Sequence, residues 1–265
     1  MKNESIVIED DLQLAIRAAE SAGQLLLEFW ARRDDLTVSN KRAGDFVSNA
    51  DVSAENHLRE ILLGERPGDS WLGEESGGAG ESRRRWVVDP IDGTTNFLKG
   101  IPHWAVSVAL EIDGQLSVGV VHDPVKSETF AAQLGHGATL NGVNIGASKT
   151  SQFSSSLFGT GIPFGDMKNI EQHAGQIARL MPLCAGLRRM GVASLDLAYV
   201  ASGRLDGFWE RNLKLWDIAG GLVLLRESGA TVEGWEAKVS PEQKGDVITA
   251  TPDLFPAFAA ILRQG

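Results

Sequence analysis

Cysteine is nearly absent: the 265-residue chain has one, Cys184, so no internal disulfide can form and a reducing compartment suits it. Basic charge is also scarce. Lys and Arg number 25 against 35 Asp and Glu, and the net charge of -10 argues against general nucleic-acid binding through a basic surface. The one basic run, Arg83-Arg84-Arg85, leads into an apolar segment and reads as a solvated strand end. No apolar stretch approaches bilayer-spanning length, and the acidic residues 1–11 hold no apolar core of a secretory signal. Internal repeats, low-complexity tracts and disordered linkers are missing too. The five histidines, His57, His103, His122, His136 and His173, form no Cys–His or Ser–His arrangement and read as surface or structural residues. Cys184, between Leu183 and Ala185, reads as a small core residue. These absences leave a soluble, cytoplasmic protein without a membrane partner, long enough for one large domain or two joined halves.

The pattern of apolar residues then gives the organisation. Leu12, Ala15, Ile16, Ala19, Ala22, Leu26 and Trp30 recur at helical spacing, which predicts a helix over residues 11–30 capped by Asp10 or Asp11. A second helix is predicted over 51–63. Short apolar strands follow at 71–73 and 86–88, then a hairpin of residues 104–112 and 116–121 around Asp113-Gly114. Residues 128–133 extend that sheet, and 135–146 is turn-rich. Beyond it strands and helices alternate: strands at 157–161, 185–189, 207–210, near Ala230 and at 246–250, with helices at 170–181, 193–202, 216–228 and from Asp253. The chain thus divides into an N-terminal α+β half, 1–146, and a C-terminal α/β half, 147–265.

What the sequence does have is carboxylates at the ends of these elements. In Trp86-Val87-Val88-Asp89-Pro90-Ile91-Asp92-Gly93-Thr94-Thr95-Asn96-Phe97 a buried strand ends at Asp89, where Pro90 stops the ladder. Asp92 follows, Gly93 permits a tight turn, and Thr94-Thr95 can open a helix. Two carboxylates three positions apart at a strand end can face one hard cation or bridge two, and oxygen ligands suit Mg²⁺, Mn²⁺ or Ca²⁺ rather than zinc. The N–H groups of a helix start would point at an anion such as phosphate. A turn and a helix cap explain the same two residues. Glu74 and Glu75 follow the strand 71–73, Asp51 follows Phe46-Val47-Ser48-Asn49-Ala50, and Asp217 opens a helix after Trp216. Functional groups gather at such ends, although Asp51 and Asp217 also suit helix starts.

The segment from Asp89 to Phe97 resembles the signature of the inositol monophosphatase family. Gly73-Glu74-Glu75-Ser76 resembles its upstream acidic motif, Val47-Ser48-Asn49-Ala50-Asp51 an earlier one, and Trp216-Asp217-Ile218-Ala219-Gly220-Gly221 the downstream one. The four occur in the expected order, and the likeness runs from about residue 10 to about residue 260. It implies an α/β/α/β/α sandwich of the inositol monophosphatase and fructose-1,6-bisphosphatase type, usually dimeric, with two to three Mg²⁺ ions for which Mn²⁺ can substitute. Glu74, Asp89 and the carbonyl of Ile91 would hold the first ion, Asp89, Asp92 and Asp217 the second, and Glu74 a weaker third. Thr94, held by Asp51, would orient and help deprotonate the attacking water. Gly93 and Thr94 would hold the phosphate through their N–H groups, with Lys41 nearby. Ala193 and Glu210 would line the substrate wall, where Val192 replaces a more usual Ser or Thr. The activity implied is hydrolysis of a small phosphomonoester, myo-inositol monophosphate first, with lithium sensitivity. Histidinol phosphate and sugar phosphates are alternatives, as is an added role with the transcription or ribosome-assembly machinery. Ions would also reverse the mutual repulsion of these acids and let a chain of charge -10 take a phosphate dianion.

Overall fold

In the computed structural model, residues 2–42, 45–162, 169–236 and 238–264 are described, apart from the side chains of 2–10, 40–42, 45 and 46. Helix α1 (Lys2–Ala31) turns Leu14, Ala15, Ala18, Ala19, Ala22 and Leu26 fully inward, the 3.6-residue stripe read from the sequence. It begins earlier than expected, so Asp11 is not its cap. Asp11 lies inside the helix, fully buried, and accepts from Arg66 Nε at 2.8 Å and Arg84 Nη2 at 2.9 Å. An acid with no exposed surface needs such partners. Arg84 also meets Asp69 at 2.8 Å, so within the basic run it is a half-buried clamp, while Arg83 at the strand end is exposed and pairs with Asp113. Asp11→Ala is expected to destabilise the fold by about 3 kcal/mol, the low end for breaking a buried pair because both arginines keep some contact with water. Thermal unfolding checks this: Tm should fall by roughly 5–10 °C, and a Tm within a degree of the parent's would contradict the clamp.

Two short strands, β1 (Val38–Arg42) and β2 (Asp45–Ser48), pair antiparallel and lead into α2 (Asn49–Glu65). Then come β3 (Ser70–Gly73), β4 (Gly77–Ala79), β5 (Arg84–Asp92), the short α3 (Thr94–Lys99), β6 (Ala105–Ile112), β7 (Gln115–Asp123), β8 (Glu128–Gln133), β9 (Gly137–Leu140) and β10 (Val143–Ile145). They form an eight-stranded sheet in the order β10-β9-β8-β7-β6-β5-β3-β4. The β6–β7 hairpin turns on Asp113 and Gly114, both at positive φ (54° and 79°), the backbone that an Asp-Gly pair supplies. Two expectations change. The turn-rich stretch after residue 134 contributes β9 and β10 to the sheet. Pro90 does not end its strand: β5 runs on to Asp92, and its register against β6 shifts between Asp89 and Asp92. A proline with no N–H fits a central strand only at such an irregularity.

The chain passes to a second sheet after Ile145. β11 (Leu157–Thr160), α4 (Ile170–Leu180), β12 (Gly186–Arg188), α5 (Ala193–Ala201), β13 (Gly207–Glu210), α6 (Leu215–Glu227), β14 (Thr231–Glu233), the one-turn α7 (Pro241–Lys244), β15 (Val247–Ala250) and α8 (Phe255–Leu262) follow, with strand order β12-β11-β13-β15-β14. Alternation along the strands sets the layers. Trp86 and Val88 of β5 pack with α1 and α2, whereas Val87 faces α5 and α6. Phe208 of β13 also faces α5 and α6, while Trp209 packs outward with Leu180 of α4 and Phe258 of α8. α5 has no exposed residue, and Ile218 to Leu225 of α6 are all buried, as helices between two sheets must be. The result is the five-layer α/β/α/β/α sandwich expected from the sequence. Cys184 packs against the outermost core. No helix among the described residues is long and apolar enough to cross a membrane.

Candidate active site

Alternation and register bring the acids together. On β5, Asp89 shares the face of Val87 and so points to the side of α5 and α6. β3 runs parallel to β5 with Gly73 opposite Val88, which sets the next residue, Glu74, beside Asp89. The Glu74 N–H donates to the Val88 carbonyl at 3.2 Å, and its carboxylate lies close enough to Asp89 to raise that acid's pKa. Asp89 lies opposite Ser107 of β6, and the Ser107 hydroxyl donates to the Trp216 carbonyl at 3.4 Å. That contact seats the first turn of α6, where Asp217 accepts from the Lys214 N–H at 2.6 Å. Asp92, the last residue of β5, reaches across the layers and accepts from the Ser194 N–H at 2.6 Å, fastening the start of α5.

The electrostatics follow from this crowding. Asp89 is pushed well above the ordinary carboxylate range, first by burial and then by Glu74, Asp92 and Asp217. Asp217 is pushed well up by burial and by Asp92, with Glu74 and Glu210 adding to it. Burial raises Asp92 to about 6 against the opposing pull of the Ser194 and Ala193 N–H groups. Among the described residues, no three His, Cys, Asp or Glu side chains form a ready-made cage for an ion. The donors that do gather are all oxygens and repel one another, which suits a hard divalent cation. Mg²⁺ in particular keeps several waters and takes only one or two carboxylates alongside substrate phosphate, so it needs no closed protein cage.

A second chain of contacts starts at α2. Asp51 Oδ2 accepts from the Ser48 N–H at 2.8 Å and the Ser48 hydroxyl at 2.6 Å, while Oδ1 accepts from the Thr94 hydroxyl at 3.2 Å. The same hydroxyl lies 3.0 Å from the Ile91 carbonyl, and the Ile91 N–H donates to Asp89 Oδ1 at 3.0 Å. Burial raises the Asp51 pKa, opposed by these bonds. Gly93 turns the chain between Asp92 and Thr94 at φ 92°; a Cβ there would also lie 2.7 Å from Val192 Cγ2. Val192 itself is fully buried against that turn, so the residue expected to remove a hydroxyl from the substrate wall serves as packing.

Glu210 ends β13 on the face of Phe208, toward α5. Its carboxylate fills the space that a side chain at Gly161 would take. Burial and Asp92 raise its pKa to about 8, with Arg189 pulling the other way. Ala193 begins α5 next to Ser194 and is buried. Glu74, Asp89, Asp92, Asp217, Glu210 and Ala193 thus surround one region, and Asp51, Thr94 and Ile91 join it through Asp89. Lys41 sits on β1, and its side chain lies outside the described residues.

Two buried acids beside this site escape the sequence reading. Asp196 in α5 is 1% exposed, and burial, Glu210 and Asp92 hold its pKa well up. Glu55 in α2 is 3% exposed. Both carry a signal: a lone acid in an apolar helix, and an acid one turn after Asp51 on the stripe of Ala50, Ala54, Leu58 and Leu62.

Known proteins resemble this chain in sequence and fold. The inositol monophosphatase family model matches residues 8–265. The Nus factor SuhB of Pseudomonas aeruginosa is 40% identical over 258 residues, 95% of each chain. The inositol-1-monophosphatase of Rhizobium meliloti is 40% identical over 255 residues, 96% of each. Among solved structures, the extragenic suppressor protein suhB from Bartonella henselae superposes with a TM-score of 0.93 at 36% identity, over 97% of this chain and 99% of that one. With four motifs in order, a matching sandwich and likeness along nearly its whole length, the chain belongs to the inositol monophosphatase family, a family of phosphomonoesterases.

Proposed function

We propose that the protein hydrolyses a small polyol phosphomonoester, myo-inositol monophosphate first among them, with two to three Mg²⁺ ions held by Glu74, Asp89, Asp92, Asp217 and the Ile91 carbonyl. The observation that carries this reading is the convergence of Glu74, Asp92 and Asp217 on the buried Asp89, each raising its pKa after burial has done so. Bound divalent ions would supply an acidified water and offset charge on the phosphate. The residues supply the rest. Asp51, fixed by Ser48, holds the Thr94 hydroxyl, which has one proton for two acceptors. If the Ile91 carbonyl were taken up by an ion, Asp51 would be left as the acceptor of that proton, and the lone pairs of the Thr94 oxygen would be free to orient a water. A raised pKa makes Asp51 the better base for this task. The N–H groups of Gly93 and Thr94, with Lys41, are assigned to the phosphate, and a homodimer is proposed with them.

Because Asp92 sits near 6 and Asp89 and Asp217 are also held well above the ordinary carboxylate range, binding an ion must displace protons. The Mg²⁺ concentration giving half-maximal rate should therefore fall as pH rises from about 6 to 8. A pH-independent value would count against these carboxylates as ligands.

Glu210 and Ala193 are assigned to the ring hydroxyls. Losing one or two hydrogen bonds of this kind costs about 1–3 kcal/mol. Glu210→Ala should lower kcat/KM for inositol phosphate by roughly 10–100-fold while sparing a plain aryl phosphate. Measured with both substrates, an equal fall would tie Glu210 to the scaffold or the ions instead. Including histidinol phosphate and fructose bisphosphate in the same panel tests the competing substrates. A second role is proposed from the Pseudomonas relative's name, Nus factor, since that relative is as similar as the Rhizobium phosphatase. A pull-down from the protein's own cell extract checks it: transcription or ribosome-assembly components should co-purify, and their absence speaks against it.

A further inference from the structure

α2 turns two acids toward the core one helical turn apart. Asp51 serves Thr94, and Glu55 has a different task. Both of its oxygens accept backbone N–H groups: Oε2 from Glu75 at 2.8 Å and Oε1 from Ser76 at 2.9 Å. These amides belong to the turn between β3 and β4, directly after Glu74. The Glu74 N–H is itself tied to the Val88 carbonyl, so three successive amides are fixed, one by β5 and two by Glu55. The far end of the turn is tied by Trp71 Nε1 donating to the Ser76 hydroxyl at 3.1 Å. Gly73 completes the fit: a Cβ there would lie 2.6 Å from the Glu55 carboxyl carbon, so any side chain would push the carboxylate off the turn.

A carboxylate this buried is tolerated only when hydrogen-bonded, and bonds to an ionised acceptor are the strong kind. The turn it grips has a single task visible in the site, to present Glu74 to Asp89. We propose that Glu55 is a positioning residue for the reaction: by clamping the turn after Glu74 it sets the affinity for Mg²⁺ without touching ion or substrate. The inference rests on Glu74 being a ligand, as proposed above.

Mg²⁺ binding is measured by calorimetry on the parent, Glu55→Gln, Glu74→Gln and the double variant. Glutamine keeps the size but offers one oxygen to two N–H groups. Removing such outer partners commonly weakens metal binding by about 10–100-fold, and that loss is expected for Glu55→Gln. At saturating Mg²⁺ its kcat should return to near the parent's, a split that general loosening of the fold would not give. Added to Glu74→Gln, it should cost little more, because both act on the same ligand. Gly73→Ala, which presses on the same carboxylate from the other side, should reproduce the weakening. In the parent, the Glu75 and Ser76 amides should resist hydrogen exchange although they lie in a turn.

If Glu74→Gln weakens binding and Glu55→Gln does not, or if their effects add, the clamp proposal is overturned. If Glu74→Gln itself has no effect, the ligand reading fails instead. Should Glu55→Gln not fold, Gly73→Ala and the parent's amide exchange decide: unchanged affinity or unprotected amides overturn the proposal.

Discussion

Thr94→Ala is expected to fold like the parent and to lose turnover on the order of 10²- to 10⁴-fold, the range for a group that takes part in proton transfer. Thr94 is the first residue of a short helix and fills no core, so removing its hydroxyl and methyl leaves no cavity. What disappears is the hydroxyl that donates to Asp51 Oδ1 at 3.2 Å and is assigned to orient the water. The loss should fall on kcat, with KM and Mg²⁺ affinity little changed, since the hydroxyl is assigned to neither substrate binding nor ions. Thr94→Ser keeps the hydroxyl and should restore most of the rate. Steady-state kinetics of both variants check this, and an alanine variant with near-parent kcat would remove Thr94 from the mechanism.

Asp89→Asn carries the second large effect, and it runs in opposite directions for activity and stability. As the acid assigned to both principal ions, Asp89 should be needed for their binding, and losing several kcal/mol of charge stabilisation corresponds to roughly 10²–10⁴ in rate. The metal-free fold should gain. Burial and three acidic neighbours disfavour the charged form of Asp89, so ionising it weakens the folded state as pH rises. Asparagine has no such charge to bury. The Tm of the metal-free variant should therefore exceed the parent's more at about pH 9 than at about pH 6, by the linkage between proton uptake and folding. Parallel melting curves and phosphate-release assays measure both sides. A variant that retains activity, or whose metal-free form loses stability at high pH, contradicts the assignment.

Much of this site is legible in the amino-acid sequence. Glu74, Asp89, Asp92 and Asp217 stand at the ends of strands and helices, and a carboxylate at such a position is visible as an acid following an apolar run. Their convergence is not visible as geometry. It depends on the parallel register of β3 against β5 and on Ser107 seating α6, neither of which leaves a periodic trace. Asp11 misleads for the opposite reason: an acid at the head of an apolar stripe looks like a cap, and only the folded chain brings Arg66 and Arg84 to it. Pro90 misleads because a lone proline usually marks a strand end, whereas here an irregular register absorbs its missing N–H. Val192 draws notice for the hydroxyl it lacks, and its role is to pack the Gly93 turn. Glu55 and Asp196 need a different question, namely why an acid stands on an apolar face.

Phosphomonoester hydrolysis by this protein should require ions held by these carboxylates. The most direct measurement is phosphate release from myo-inositol 1-phosphate by the protein after chelation, followed by titration with Mg²⁺. Release should be negligible in excess chelator and recover as Mg²⁺ is restored. Full activity in excess chelator would contradict that requirement.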